Sequence, residues 1–405
     1  MPNHPTLTVA SSGLGHVARG IEAWASDLAM ALAARGVPVT LCKGGGRADR
    51  PFERVLPCWQ REAGKSRIVS RLLPKRVSWR VGLGSPYEVE QLTFTRHLLR
   101  HLRRQRVDIL HVQDPWIALL TQRAGRLGLV PTRTILAHGT EEPLKFQRKI
   151  RYLQHLAPWH RDEARAAGID RPTWTAIPNF IDTDVFAPGV APDLRGELGI
   201  PADGFVVLSV AAIKRAHKRV DYLVTEFAQL LRDRLGLPAW LVVAGGWEAE
   251  TDALVAESKQ RLGDRVRFLV RFPRDRMPDL YRAADVFALA SLKEMMPIAV
   301  LEATATGLPA LVHRHPVLEW IIGPGGEAID MSVAGALAGA LGRYVTDRPN
   351  LRWTGMLGRD HCLRQFARDA VLDRILDYYQ FVLADGRPTT HGTVMDSPIL
   401  RHAGC

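Results

Sequence analysis

The sequence predicts an α/β protein made of two doubly wound, parallel-sheet units that face each other across a central cleft. Three observations carry this. Apolar runs of strand length alternate with stretches of helical period along most of the chain, the pattern of parallel strands covered by helices. The rhythm breaks around Pro178–Pro188 and then restarts. At 405 residues the chain is also long enough for two domains, each with its own core.

In order along the chain, residues 7–10 read as a short buried strand, followed by the turn Ser11-Ser12-Gly13-Leu14-Gly15. A helix is predicted over 18–35, with Ile21, Trp24, Leu28 and Leu32 on one face and Gly36 ending it. Strands follow at 37–42, 107–112 and 132–137. The helix before the second of these carries the apolar stripe Leu92, Leu98, Leu99 and Leu102. After the break, 205–211 is a strand and 220–235 a helix. Further strands are expected at 240–244, 266–270, 286–290 and 308–312. A last helix lies near 370–383, and the aperiodic polar stretch 384–405 reads as a flexible tail.

Charge is divided unevenly. Residues 1–185 hold 28 Lys/Arg against 16 Asp/Glu, whereas residues 186–405 hold 26 of each, so the net +12 lies in the first half. Two runs dominate it. Arg61–Arg80 has seven basic residues against Glu62 alone, and Arg96–Arg106 has five arginines and two histidines without an acid. Such a field attracts phosphate-bearing partners; a solvated helix face with no partner is the other reading. No recognised motif or aromatic platform accompanies the arginines, so nucleic acid is not expected as a partner.

The four cysteines (Cys42, Cys58, Cys362, Cys405) are scattered, which speaks against zinc and disulfide frameworks and for a reducing compartment. Residues 1–10 lack the pattern of a signal peptide, and no apolar stretch is long enough to span a membrane. A cytoplasmic protein is expected, peripheral on the inner face of the membrane if the basic runs meet lipid.

The sharpest chemical signal is the segment 291–309, SLKEMMPIAVLEATATGLP, in which Glu294 and Glu302 stand eight apart after a strand. Glu294 falls in the loop at that strand's carboxyl end, where open α/β sheets bind ligands. Glu302 is expected to begin the helix that ends at Gly307. Carboxylates accept well from vicinal hydroxyls, and the backbone N–H groups of Met295 and Met296 lie at a helix start suited to phosphate oxygens. Two spaced glutamates on their own fit a solvated helix face better.

In context the segment resembles the signature of the retaining GT-B glycosyltransferases of family four, roughly P-S-x-x-E-G-F-G-x-x-x-x-E-A-x-A-x-G-x-P. Four other stretches resemble the same family in the right order: Ile177-Pro178-Asn179-Phe180-Ile181-Asp182 with Phe186 and Pro188, Val266–Val270 with Leu280–Val286, Asp108–His111, and Ala137-His138-Gly139. The resemblance spans residues 7–383. It implies a GT-B fold of two Rossmann-like domains: an acceptor-side domain over 1–185, a nucleotide-sugar domain over 186–369, and a helix at 370–383 packing back toward the first.

The resemblance also implies roles. Glu302 is expected to hold the nucleotide ribose and Glu294 the donor sugar hydroxyls. Lys218, in the segment 214–221 (KRAHKRVD), matches the lysine that neutralises the diphosphate, where charge stabilises a leaving group. The family's neighbouring arginine falls at Ala212, so Lys214 or Arg215 is expected to supply the second positive charge. Gly13 and Gly15 match the loop that approaches the donor phosphate and the acceptor. His138 is placed near the transferred sugar, and base contacts are expected from the backbone near Val270 and Arg271. The family's G-F-G becomes Met295-Met296-Pro297 here, with bulk at Met295 narrowing the sugar pocket and Pro297 removing a donor. Neither a metal nor a cofactor is expected, since no Asp-x-Asp stands in suitable context.

The function expected is transfer of a hexose from a nucleoside-diphosphate sugar to an acceptor hydroxyl with retention. A lipid-linked or cell-envelope acceptor is favoured over a small soluble one, because Arg61–Arg80 mixes its charges with Ile68, Val69, Leu72, Leu73, Val77 and Trp79. A non-catalytic nucleotide-sugar-binding partner protein is the alternative, supported by the Met295-Met296 substitution. A GT-B epimerase or phosphorylase fits the two-glutamate signature less well.

Overall fold

The computed structural model describes residues 5–17, 19–72, 78, 82–190 and 193–385. The expectations placed on Leu73, Lys75, Arg76, Val77, Trp79, Arg80 and the tail beyond residue 385 lie outside the described residues.

The first half of the chain builds one parallel sheet of seven strands: β1 (Leu7–Ser11), β2 (Val39–Lys43), β3 (Glu53–Val55), β4 (Ile109–Val112), β5 (Arg133–His138), β6 (Tyr152–His155) and β7 (Thr175–Ala176). Their spatial order is β3-β2-β1-β4-β5-β6-β7. The second half builds a parallel six-stranded sheet from β8 (Phe205–Val210), β9 (Ala239–Gly245), β10 (Val266–Val270), β11 (Val286–Leu289), β12 (Ala310–His313) and β13 (Gly326–Ile329). Its order is β10-β9-β8-β11-β12-β13. Both sheets therefore reverse direction of winding beside their first strand, at β1/β4 and at β8/β11. Ligands of doubly wound sheets lie outside the carboxyl ends of such strands.

The central strands are buried on both faces, which explains their near-continuous apolar runs, such as FVVLSV in β8. The strands that periodicity does not reveal are short and mostly at edges. β3, β7 and β13 end the two sheets, and β3 reads Glu-Arg-Val, β13 Gly-Glu-Ala-Ile. Edge strands need little apolar sequence because one side faces no partner. The helix predicted to begin at Glu302 begins at Ile298 instead, directly after Pro297, which occupies the cap position. Proline's missing N–H costs nothing there, since the first turn has no acceptor for it.

The segment 177–186 carries Ile177, Phe180, Ile181 and Phe186 into one apolar cluster that continues into both units. Ile181 also exchanges backbone hydrogen bonds with Phe366 and Arg368, at 2.9 and 3.0 Å. The last helix, Arg368–Ala384, then lies against the first unit. Tyr379 Oη is 2.8 Å from His111 Nδ1, Tyr378 donates to the Thr173 carbonyl at 2.7 Å, and Arg374 donates to the Ala176 carbonyl at 2.7 Å. Burial drives the His111 pKa down to about 3, so the imidazole is neutral and serves as a core polar group. Among the described residues no helix is long and apolar enough to cross a membrane.

Candidate active site

The loop after β8 is built with uncommon backbone. His217 and Arg219 both have left-handed φ, 68° and 49°, as does Arg271 after β10 at 57°. Non-glycine residues adopt this region at a cost of order 1 kcal/mol, and such positions gather at functional sites. The surroundings hold the loop in place. His217 Nε2 lies 2.9 Å from the Lys293 carbonyl, and Arg219 donates to the Met331 carbonyl at 2.9 Å. Lys218 is thereby aimed at the loop after β11, where its ammonium donates to Glu294 Oε1. The Glu294 side chain is 9% exposed and that of Lys218 19%, so the pair is largely desolvated.

Glu302 lies within the helix Ile298–Ala305 and is 3% exposed. Tyr281 donates to its Oε2 at 2.7 Å and Arg274 to its Oε1 at 3.4 Å. Burial raises its pKa to about 7, although Arg274 and the Tyr281 hydroxyl both pull it down. Arg274 also donates to Asp27 at 2.9 Å, on the first unit's helix Gly20–Ala34. The ribose candidate thus touches a bridge between the two units. Three further contacts cross at the same place: Arg19 to Glu248 at 2.9 Å, His160 Nε2 to the Met295 carbonyl at 3.1 Å, and Asn179 to the Met296 carbonyl at 3.4 Å. Met295 and Met296 are buried, at 8% and 6% exposure.

The two candidates for the second positive charge separate. Arg215 donates to Glu257 at 2.5 Å, and its backbone N–H is taken by Glu250 at 3.0 Å. The Lys214 ammonium makes no hydrogen bond or ion pair among the described residues, which leaves it free for a ligand. At the expected base position, Val270 is exposed at the end of β10, while the Arg271 N–H is committed to the Gly245 carbonyl at 2.8 Å.

On the other side of the cleft, Gly13 and Gly15 follow β1. A Cβ at Gly15 would stand 2.1 Å from the Gly45 carbonyl oxygen, so that position admits no side chain, whereas one at Gly13 would have to displace the Glu22 carboxylate, whose Oε1 lies at the same distance. Beneath them lies a network that sequence reasoning missed. Ser12 donates to Glu90 at 3.0 Å and to Asp114 at 2.7 Å, and Tyr87 donates to Asp114 at 3.1 Å. His16 Nε2 is 2.9 Å from Glu90, and Arg61 grips Glu90 with Nη2 at 2.7 Å while reaching Glu22 at 3.4 Å. Burial opposes ionisation of Glu90, but the His16 and Arg61 hydrogen bonds prevail and bring it to about 2. Burial raises Asp114 to about 7 and pushes Glu22 up as well. Asp114 was readable in principle, since it follows β4 almost directly, where the switch point places ligand groups.

This network corrects one expectation. Arg61, the first cation of the run expected to meet a lipid surface, has a side chain 14% exposed and is consumed internally by acids. Removing it leaves two buried carboxylates without their cation, a change that costs about 3–5 kcal/mol in comparable cases. Arg61→Ala is therefore expected to lower the melting temperature by roughly 10 °C in calorimetry. An unchanged melting temperature would show that the network carries no stability.

His138, at the end of β5, is 3% exposed, and neither ring nitrogen has a hydrogen-bond partner among the described residues. Its Nε2 is 3.4 Å from Glu142 Oε2, and its ring stands 5.8 Å from His155 and 6.2 Å from His160. Burial lowers His155 to about 2 and His160 to about 4, so these two neighbours are uncharged at neutral pH.

Two family models match the chain in succession: Glycosyltransferase Family 4 over residues 18–185 and Glycosyl transferases group 1 over residues 190–353. Among curated relatives, a D-inositol 3-phosphate glycosyltransferase of Acidothermus cellulolyticus is 31% identical over 220 residues, 52% of this chain and 48% of the relative. The UDP-Gal:alpha-D-GlcNAc-diphosphoundecaprenol alpha-1,3-galactosyltransferase of Escherichia coli is 26% identical over 53% of this chain and 60% of its own length. The match thus spans 48% and 60% of the length of these two relatives. In three dimensions a sucrose-phosphate synthase from Thermosynechococcus elongatus superposes with a TM-score of 0.74 over 94% of this chain and all of that one, at 20% identity, a likeness of fold. With two parallel sheets of GT-B type, both halves matched in order, and the Glu294–Glu302 signature at the second switch point, the chain belongs to the group 1, family 4 glycosyltransferases of the GT-B fold.

Proposed function

We propose that this protein transfers a hexose from a nucleoside-diphosphate sugar to an acceptor hydroxyl with retention of anomeric configuration. The observation that carries the reading is the Lys218–Glu294 pair in the loops after β8 and β11, with the buried Glu302 on the helix that follows. In this reading Glu302 accepts from the ribose hydroxyls and Glu294 from those of the sugar. Lys218 and Lys214 neutralise the diphosphate, with backbone N–H groups at Met295 and Met296 beside it. Charge stabilisation of the departing diphosphate then drives cleavage of the glycosidic bond. The acceptor hydroxyl attacks from the face that the leaving group vacates and gives up its proton to the departing phosphate oxygen. Val270 and Arg271 border the base, Gly13 and Gly15 approach the phosphate and the acceptor, and His138 stands near the transferred sugar.

The acceptor lies against the first unit. A lipid-linked or cell-envelope acceptor is supported by the excess positive charge there and by the E. coli relative, whose name specifies a diphosphoundecaprenol substrate and UDP-galactose. An anionic membrane surface is the partner this implies, met through Arg96–Arg106 and the remaining cations of Arg61–Arg80. The anomeric proton coupling of the product tests the chemistry. An α-linked donor is expected to yield an α-linked product, and a β-linked product would reject retention.

A further inference from the structure

The helix Pro86–Gln105 runs back along the first sheet from the switch point, and its second half flanks the edge strand β3. Between them lies an open cavity of about 580 Å³, lined by Arg54, Leu56, His97, Arg100, His101 and Arg104 among others. His97, Arg100, His101 and Arg104 are spaced three and four apart and so share one face of the helix. Arg54 faces them from β3. All three guanidinium groups are exposed, and none makes a hydrogen bond or ion pair among the described residues.

The one carboxylate in the lining cannot serve them. Glu53 is already held by the Lys43 ammonium at 2.7 Å, the Arg50 guanidinium at 2.8 Å and the Asp49 N–H at 3.0 Å. Burial would raise its pKa, but these three donors lower it to about 2, so it is a satisfied anion rather than a free one. Three unpaired arginines therefore converge on a concave site with no counter-charge of its own. Guanidinium forks match the oxygens of a phosphoryl group better than a single carboxylate or halide. The site is separate from the cleft. His97 is seven residues along the helix from Glu90, roughly 10 Å by helical rise, and Arg100 and Arg104 lie farther along it.

From this we infer that the cavity between β3 and the second half of the helix Pro86–Gln105 binds a phosphoryl anion, either the headgroup phosphate of an anionic lipid or a soluble phosphate monoester. It gives the proposed anionic partner a defined contact and rests on that part of the functional reading. Binding of the nucleotide donor does not depend on it.

The test compares wild type with Arg54→Ala/Arg100→Ala/Arg104→Ala, all at exposed positions outside the donor site. Inorganic phosphate is titrated while the ring resonances of His97 and His101 are followed by NMR. Both rings are expected to shift in wild type and to stay still in the triple variant. Binding to phosphatidylcholine vesicles with and without phosphatidylglycerol then identifies the source. A loss of about a hundredfold in partition to the anionic vesicles, near fivefold per arginine, assigns a lipid headgroup. Vesicle binding that is absent, or equal in both proteins, assigns a soluble phosphate instead. Rings that do not respond to phosphate in wild type, or that respond equally in the variant, overturn the site. The melting-temperature rise that the nucleotide donor causes is expected to be the same in the triple variant as in wild type, which separates failure here from failure of the transferase reading.

Discussion

Glu302→Ala is expected to lower kcat/KM for the nucleotide-sugar donor by a hundredfold or more. A hydrogen bond to a charged group contributes about 1.5–3 kcal/mol, and a carboxylate holding a ribose makes two of them. The variant also strands Arg274 and the Tyr281 hydroxyl, which now converge on the Glu302 oxygens. Glu302→Gln separates the two effects, because it keeps an acceptor but loses the charge. The sign of the pH dependence follows from burial. The folded carboxyl titrates at about 7 against an ordinary 4.5. Its protonated form therefore adds stability that is fully present below about pH 4.5 and is lost as the pH rises through 7. Binding runs the other way, since ionised Glu302 is the better acceptor for hydroxyls. Nucleotide affinity is expected to rise between pH 6 and 8 in wild type and to stay flat, relative to wild type, in Glu302→Gln. Stability at pH 8 should be higher in Glu302→Gln than in wild type, with no difference near pH 4. An affinity profile identical in both proteins would remove Glu302 from the donor site.

Lys218→Ala is expected to reduce kcat by roughly 10²–10³, the range seen when a preorganised donor aimed at developing charge is removed. KM should change less, because the charge builds up on the leaving diphosphate in the transition state. Lys218 is paired with Glu294, so its removal also leaves a buried carboxylate uncompensated. A double-mutant cycle with Glu294→Gln resolves this. Stability lost in Lys218→Ala is expected to return in the double variant, whereas kcat is not. Recovery of kcat along with stability would show that Lys218 acts only by holding Glu294, and that the phosphate charge lies elsewhere. Lys214, unpaired beside it, is the nearest alternative.

The central strands and the second switch point were legible in the sequence because burial on both faces writes itself as continuous apolar runs. β3, β6, β7 and β13 were not, since two to four residues with polar members carry no usable period. Of the candidate residues placed by local pattern, Lys218 and Glu294 pair in the fold, while Glu302 lies on the helix that follows. What pattern could not supply was partnership across sequence distance. Arg61 stands 29 residues from Glu90, and nothing in a basic run reveals that one of its members is buried against an acid on another helix. The same holds for Arg274, whose contacts with Glu302 and Asp27 link residues 28 and 247 apart. Lys214 and Arg215 are adjacent and of equal charge, and only the acids on the helix Thr251–Leu262 and its cap separate them.

The measurement that bears most directly on a donor site at the carboxyl ends of β8 and β11 is a thermal-shift titration of wild type and Glu302→Ala. The ligands are UDP, GDP, ADP and their common sugar conjugates. A ligand bound only to the native state at a hundred times its Kd adds about 2.7 kcal/mol of stability. One base is expected to raise the wild-type melting temperature by several degrees and to leave Glu302→Ala unmoved. No shift with any nucleotide, or an equal shift in both proteins, would contradict the account.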